Sequence, residues 1–176
     1  MIDSKPCKTK EYFNKYLYFK RVGAYMKVYD SNMLRNIAVL GHSGCGKTNL
    51  IEAIAYTSNL TNKISKQNDK VNMTYTLGLV LVEYNNYKYN LLDTPGYFDF
   101  CGEVISSLTA SDAAIIVIDA TTDIQVGTEK SLELTEDVPK IMFINKIDNE
   151  KSRYKDTLEI LREQYGNKIV PMIIPI

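Results

Sequence analysis

Apolar and polar positions come in blocks along this chain, and each block predicts an element. Arg35-Asn36-Ile37-Ala38-Val39-Leu40 closes on a run apolar enough for a buried strand. Asn49 to Tyr56 is apolar at helical spacing and predicts a helix ending near Tyr56. Residues 57–72 are polar and unperiodic, a loop. Thr74 to Tyr84 and Tyr87 to Leu92 are strand-like, and Asn85-Asn86 between them suits a two-residue hairpin because Asn tolerates positive φ. A helix is expected from roughly Phe100 to Ala110, then a fully buried strand over Ala113–Ile118. Residues 125–136 read as a helix and Lys140 to Ile144 as another buried strand. Residues 152–165 are helical with Leu158, Leu161 and Tyr165 on one side. Ile169 to Ile174 reads as a last strand, interrupted by Pro171 and stopped by Pro175. Strands alternating with helices give an α/β class: a mostly parallel sheet, helices on both faces and one antiparallel hairpin strand. Ligands then sit beyond the carboxyl ends of the strands.

Composition narrows this picture only a little. The 176 residues suffice for one domain with a real core, and 45% hydrophobic with 24% charged residues is ordinary for a globular chain. Zero formal net charge gives no global pull toward DNA or a membrane. The longest apolar run, Ala113 to Ile118, is far too short to span a bilayer. Cys7, Cys45 and Cys101 are scattered without metal-ligand spacing, which fits reduced thiols in a cytoplasm. Residues 1–25 differ from the rest. Six basic residues face two acidic ones, interleaved with Tyr12, Phe13, Tyr16, Tyr18, Phe19 and Tyr25. Such an arm could touch RNA. The simpler expectation is a disordered leader over 1–25, with Met26 the natural start of a domain over 26–176.

Three motifs stand at strand ends. Gly41-His42-Ser43-Gly44-Cys45-Gly46-Lys47-Thr48, followed by Asn49, has the form G-x-x-x-x-G-K-T between a predicted strand and a predicted helix. That form is the one expected of the phosphate-binding loop of a P-loop NTPase. Its glycines let backbone N–H groups converge on one point, and the helix N-terminus adds positive potential. Lys47 can reach the β- and γ-phosphates, and the Thr48 hydroxyl can ligate Mg²⁺. Cys45, beside that helix start and Lys47, is expected to favour its thiolate; the alternative is an inert small residue. Asp93-Thr94-Pro95-Gly96 follows the strand ending at Leu92, where Asp93 can hold Mg²⁺ opposite Thr48 and Gly96 can offer its N–H to a γ-phosphate. Asn145-Lys146-Ile147-Asp148 follows the strand ending at Ile144. The Asp148 carboxylate can accept from N1–H and N2–H₂ of guanine, a donor pair that adenine lacks, which opposes an ATP-using enzyme. Asn145 can tie this loop to the phosphate loop, and the Lys146 stem can lie on the base.

GHSGCGKT, DTPGYFDF and NKID, with SDAAIIVIDA between them, resemble the G domain of a translational GTPase, most of all elongation factor G and its elongation-factor-G-like paralogues. The resemblance runs from Met26 to Ile176. It implies a monomeric, cytoplasmic switch that binds GTP and GDP with Mg²⁺ and works on the ribosome. It also implies departures. The family usually has His after D-T-P-G, to position attacking water; here Tyr97 stands there, as in the paralogues, so hydrolysis is expected to be slow. Lys47, Gly96 and Tyr97 are the candidate catalytic residues. The family's R-G-I-T is reduced to Val71-Asn72-Met73-Thr74, and Thr74 is the candidate to close over Mg²⁺ and the γ-phosphate. The later S-A motif that helps bind guanine is absent, and the family's further domains do not follow Pro175-Ile176. The expectation is therefore a fragment, a frameshifted remnant or a truncated form, with a module that binds nucleotide and hydrolyses little as the alternative.

Overall fold

The computed structural model describes residues 28–60, 77–97 and 101–175. The leader over 1–25, most of the loop over 57–72, Thr74 and the start of the first hairpin strand lie outside the described residues. The architecture that follows is that of the unit Ser31–Ile176.

Among the described residues five strands form one sheet, in the order β2-β3-β1-β4-β5. They are β1 (Leu34–Leu40), β2 (Gly78–Tyr84), β3 (Tyr87–Asp93), β4 (Ala113–Asp119) and β5 (Lys140–Asn145). β3, β1, β4 and β5 run parallel; β2 joins β3 antiparallel at one edge. Asn85 (φ 49°) and Asn86 (φ 65°) make the turn between β2 and β3, as their tolerance of positive φ predicts. The described helices are α1 (Lys47–Thr57), α2 (Cys101–Thr109), α3 (Val126–Leu134) and α4 (Tyr154–Tyr165). Parallel neighbours need long crossovers, and α1, α2 and α3 supply them.

Alternation along the central strands feeds two cores. Val39 and Val117 pack with Ile51 of α1, Val82 and Leu91 on one face. Ala38, Leu40, Ala114, Ile116 and Ile118 face the other way, against Leu132 of α3, Leu161 of α4 and, from α2, Val104 and Leu108. Sheet positions buried on both faces explain why β1 and β4 read as near-continuous apolar runs.

Two expectations fail at the β5 side. β5 is buried on one face only: Met142 and Ile144 pack into the core, but Ile141 is 59% exposed and Phe143 41%. Residues 169–175 form no strand. After α4 a short 3₁₀ turn, Gly166–Lys168, leads to an irregular segment with Val170, Met172, Ile173 and Ile174 all exposed. Pro171 has no N–H to give a ladder, so this run has strand composition without strand pairing.

The register brings the chemistry to one edge. Val39 lies opposite Asp93, and Asp119 opposite Asn145. The phosphate-loop motif, Asp93, Asp119 and Asn145 thus all emerge at the carboxyl ends of parallel strands, the place where open α/β sheets bind ligands.

Candidate functional site

The loop from Gly41 to Gly46 connects β1 to α1 and returns on itself, with Cys45 N donating to His42 O at 3.4 Å. Gly46 precedes α1 at φ 99°, a conformation that L side chains avoid, and a Cβ there would collide with the Asn145 amide. Lys47 is buried, and its Nζ donates to Gly41 O and His42 O, each at 3.0 Å. Burial lowers its pKa, against the pull of Cys45 and Asp93 in the other direction. His42 is half-buried with Nδ1 making no hydrogen bond, and burial, then Lys47, lowers its pKa. Ser43 is half-buried; Gly44 and Asn49 are exposed.

Cys45 bears on both of its readings. It is 1% exposed, and burial pushes its thiol up despite Lys47 nearby. This favours the inert reading, because desolvation of a thiolate outweighs the pull of Lys47 and Lys146.

The segment after β3 closes on this loop. Thr94 is fully buried, and its hydroxyl donates to Val39 O at 2.7 Å, so it anchors the segment to β1. Pro95 is buried beside it. Gly96 then passes so close to the phosphate loop that a Cβ would lie 2.5 Å from Lys47 Nζ and 2.7 Å from Ser43 N. Only glycine fits there without a shift of the phosphate-loop backbone. Tyr97 follows, 37% exposed.

Thr48 Oγ1 donates to Asp93 Oδ2 at 2.7 Å. Asp93 Oδ1 is buried with no hydrogen-bond partner. Burial raises the Asp93 pKa, opposed by Thr48 and Lys47. A buried carboxylate oxygen without a partner, beside a hydroxyl, is a hard-oxygen donor set suited to Mg²⁺. Among the described residues no cluster of three or more His, Cys, Asp or Glu could hold a metal. Such a cation would therefore take the rest of its oxygens from ligand phosphates and water, the habit of Mg²⁺.

The third motif is tied to the first. Asn145 Nδ2 donates to Cys45 O at 2.8 Å across 100 residues of sequence. Lys146 takes φ 60°, and its Nζ donates to Gly44 O at 2.8 Å. Asp148 is exposed in the turn that follows, where Asn149 N donates back to Lys146 O. Sequence reasoning missed Asp119. It ends β4, and its Oδ2 lies 2.6 Å from Lys146 Nζ. The one available signal was an acid closing a buried apolar run, as Asp93 does. Thr74 lies outside the described residues, so the metal candidates brought together here are Thr48 and Asp93.

Residues 32–174 match the family described as elongation factor Tu GTP binding domain. The chain is 30% identical over 152 residues to the elongation factor G-like protein of Thermotoga maritima, covering 81% of this chain and 22% of that protein. It is 32% identical over 157 residues to elongation factor G of Gluconobacter oxydans, covering 81% and 22%. Mitochondrial ribosome-releasing factor 2 of Vanderwaltozyma polyspora is 31% identical over 170 residues, covering 89% and 21%. A crystal structure of a Thermus thermophilus protein superposes with a TM-score of 0.74 at 31% identity, over 82% of this chain and 24% of that one. The chain thus spans between a fifth and a quarter of the length of these relatives.

Proposed function

The chain belongs to the elongation factor Tu GTP-binding domain family, and from that premise we propose that it is the guanine-nucleotide-binding domain of an elongation-factor-G-like translational GTPase. In this reading it hydrolyses GTP slowly, with Mg²⁺, in a ribosome-associated step in the cytoplasm. The observation that carries the guanine assignment is the Asn145 Nδ2 to Cys45 O bond, which joins the N-K-x-D loop to the phosphate loop. A base held at Asp148 and phosphates held at Gly41–Thr48 then belong to one ligand.

Each residue has a part. The loop N–H groups and the α1 N-terminus cradle the phosphates, and Lys47 leaves its own loop carbonyls to neutralise the β- and γ-oxygens. Thr48 and Asp93 would hold Mg²⁺, which when bound would supply further charge neutralisation to the phosphates. The Gly96 N–H donates to the transferring phosphoryl, whose charge it stabilises most where it develops. Tyr97 touches the attacking water; a phenol is a weak base near neutrality, so it orients water without readily taking its proton. That same residue favours the second reading, a guanine-nucleotide module with little hydrolysis.

Titration of fluorescent GDP and ADP against the wild type and Asp148→Asn tests the base assignment. GDP should bind at least about tenfold tighter than ADP, because adenine would cover the Asp148 carboxylate without donors for it, and a polar group so desolvated and left unpaired costs about 1–3 kcal/mol. Asp148→Asn should erase most of that difference. Equal affinity of the wild type for both nucleotides would sink the guanine assignment. Single-turnover hydrolysis by the wild type, Tyr97→His and Tyr97→Ala, with and without ribosomes, separates the two functional readings. Tyr97→His should keep GTP affinity within a few-fold, roughly, while hydrolysing faster than Tyr97→Ala.

A further inference from the structure

Lys146 is held in an unusual posture. Its φ of 60° is left-handed, which costs a residue with a Cβ and persists only where the surroundings over-determine it. Three contacts do so here. Nζ donates to Gly44 O at 2.8 Å and to Asp119 Oδ2 at 2.6 Å, and the Lys146 carbonyl accepts from Asn149 N at 3.2 Å. Asp119 is itself locked. Its Oδ1 accepts from Thr121 N at 2.9 Å and from Thr121 Oγ1 at 2.6 Å, so the carboxylate cannot rotate away. The backbone closes the same corner, with Ala120 N donating to Asn145 O at 3.0 Å and Arg153 N to Ala120 O at 2.8 Å. The Asp119 side chain is 9% exposed, and that of Lys146 is 38% exposed. Burial would raise the Asp119 pKa, but the hydrogen bonds from Lys146 and Thr121 hold it below the usual carboxylate range. Asp119 is therefore ionised at neutral pH.

We propose that Asp119 is a positioning residue for nucleotide retention: with Gly44 O it fixes the Lys146 ammonium, so that the Lys146 stem stands as a preformed wall for the bound base. A free lysine loses rotamer freedom when a ligand orders it, and one already pinned at its tip loses far less. The base-reading carboxylate, Asp148, is not part of this clasp, so Asp119 governs how long the nucleotide stays and not which base is chosen. This rests on the guanine-nucleotide reading given above.

The test is a chase experiment on the full 176-residue chain, with the release of fluorescent GDP followed in excess unlabelled GDP. The variants are Asp119→Ala, Asp119→Asn, Lys146→Met and the Asp119→Ala/Lys146→Met pair. Asp119→Ala should release GDP on the order of tenfold faster, an ordinary coupling between contacting residues. In the Lys146→Met background the same change should add almost nothing, a non-additivity that a merely structural role would not produce. In Asp119→Ala and Asp119→Asn the preference for GDP over ADP should stay as in the wild type. Asp119→Asn keeps the side-chain volume and decides the matter if circular dichroism shows Asp119→Ala unfolded. Unchanged release in Asp119→Asn and Asp119→Ala overturns the proposal, as does equal acceleration with and without Lys146. In either case a wild type that binds GDP leaves the functional reading standing. A wild type that binds no guanine nucleotide overturns both.

Discussion

At the residue scale, Asp93 is the group most out of balance with its surroundings. Its Oδ1 is buried without a hydrogen bond, and burial raises the pKa of the carboxyl. A charged oxygen so placed destabilises the nucleotide-free fold, and an uncharged amide in its place costs less. Asp93→Asn should therefore raise the urea midpoint of the nucleotide-free chain, by about 1 kcal/mol of stability. The same change should abolish the dependence of GDP binding on Mg²⁺. Loss of stability in the metal-free variant would show that Oδ1 is not the liability assigned to it. Residues also mark where sequence reading stops. The three motifs were legible because each residue type has a reason at its own position. The state of Cys45 was not, since sequence shows the nearby Lys47 but not the burial that outweighs it. Asp119 was not, since its meaning lies in Lys146, 27 residues away.

At the element scale, the central strands were legible because burial on both faces writes itself as an unbroken apolar run. The hairpin was legible because Asn85 and Asn86 are the residue type that positive φ selects. The run over 169–174 was misread because a buried strand and an exposed apolar segment share a composition, and pairing is not a property of composition. The hairpin carries a prediction. Asn85 at φ 49° sets the register that pairs Gly78 through Tyr84 with β3. Asn85→Val puts a β-branched residue into the left-handed region, at a cost of about 1–2 kcal/mol. The urea midpoint should fall accordingly, with amide exchange in β2 rising before that in β4. An unchanged midpoint would mean that the turn does not set the register.

At the scale of the whole molecule, the site is assembled from distant parts. The phosphate-loop motif and the N-K-x-D loop are joined by bonds spanning 100 and 102 residues of sequence. Sheet order explains this: β1 occupies the centre, and its neighbour but one, β5, is the last of these strands to be made. During synthesis at about 5–20 residues per second, the phosphate loop waits roughly 5–20 seconds for its closing partner. Nascent chains of graded length, stalled on the ribosome, should therefore retain fluorescent GDP only once Asn145 to Asp148 are free to fold; retention by chains ending before Lys140 would refute this. On the proposed function, the nucleotide would be a late rivet and not a folding seed. A cell that senses which young chains hold guanine nucleotide would in effect be inspecting each sheet for completion.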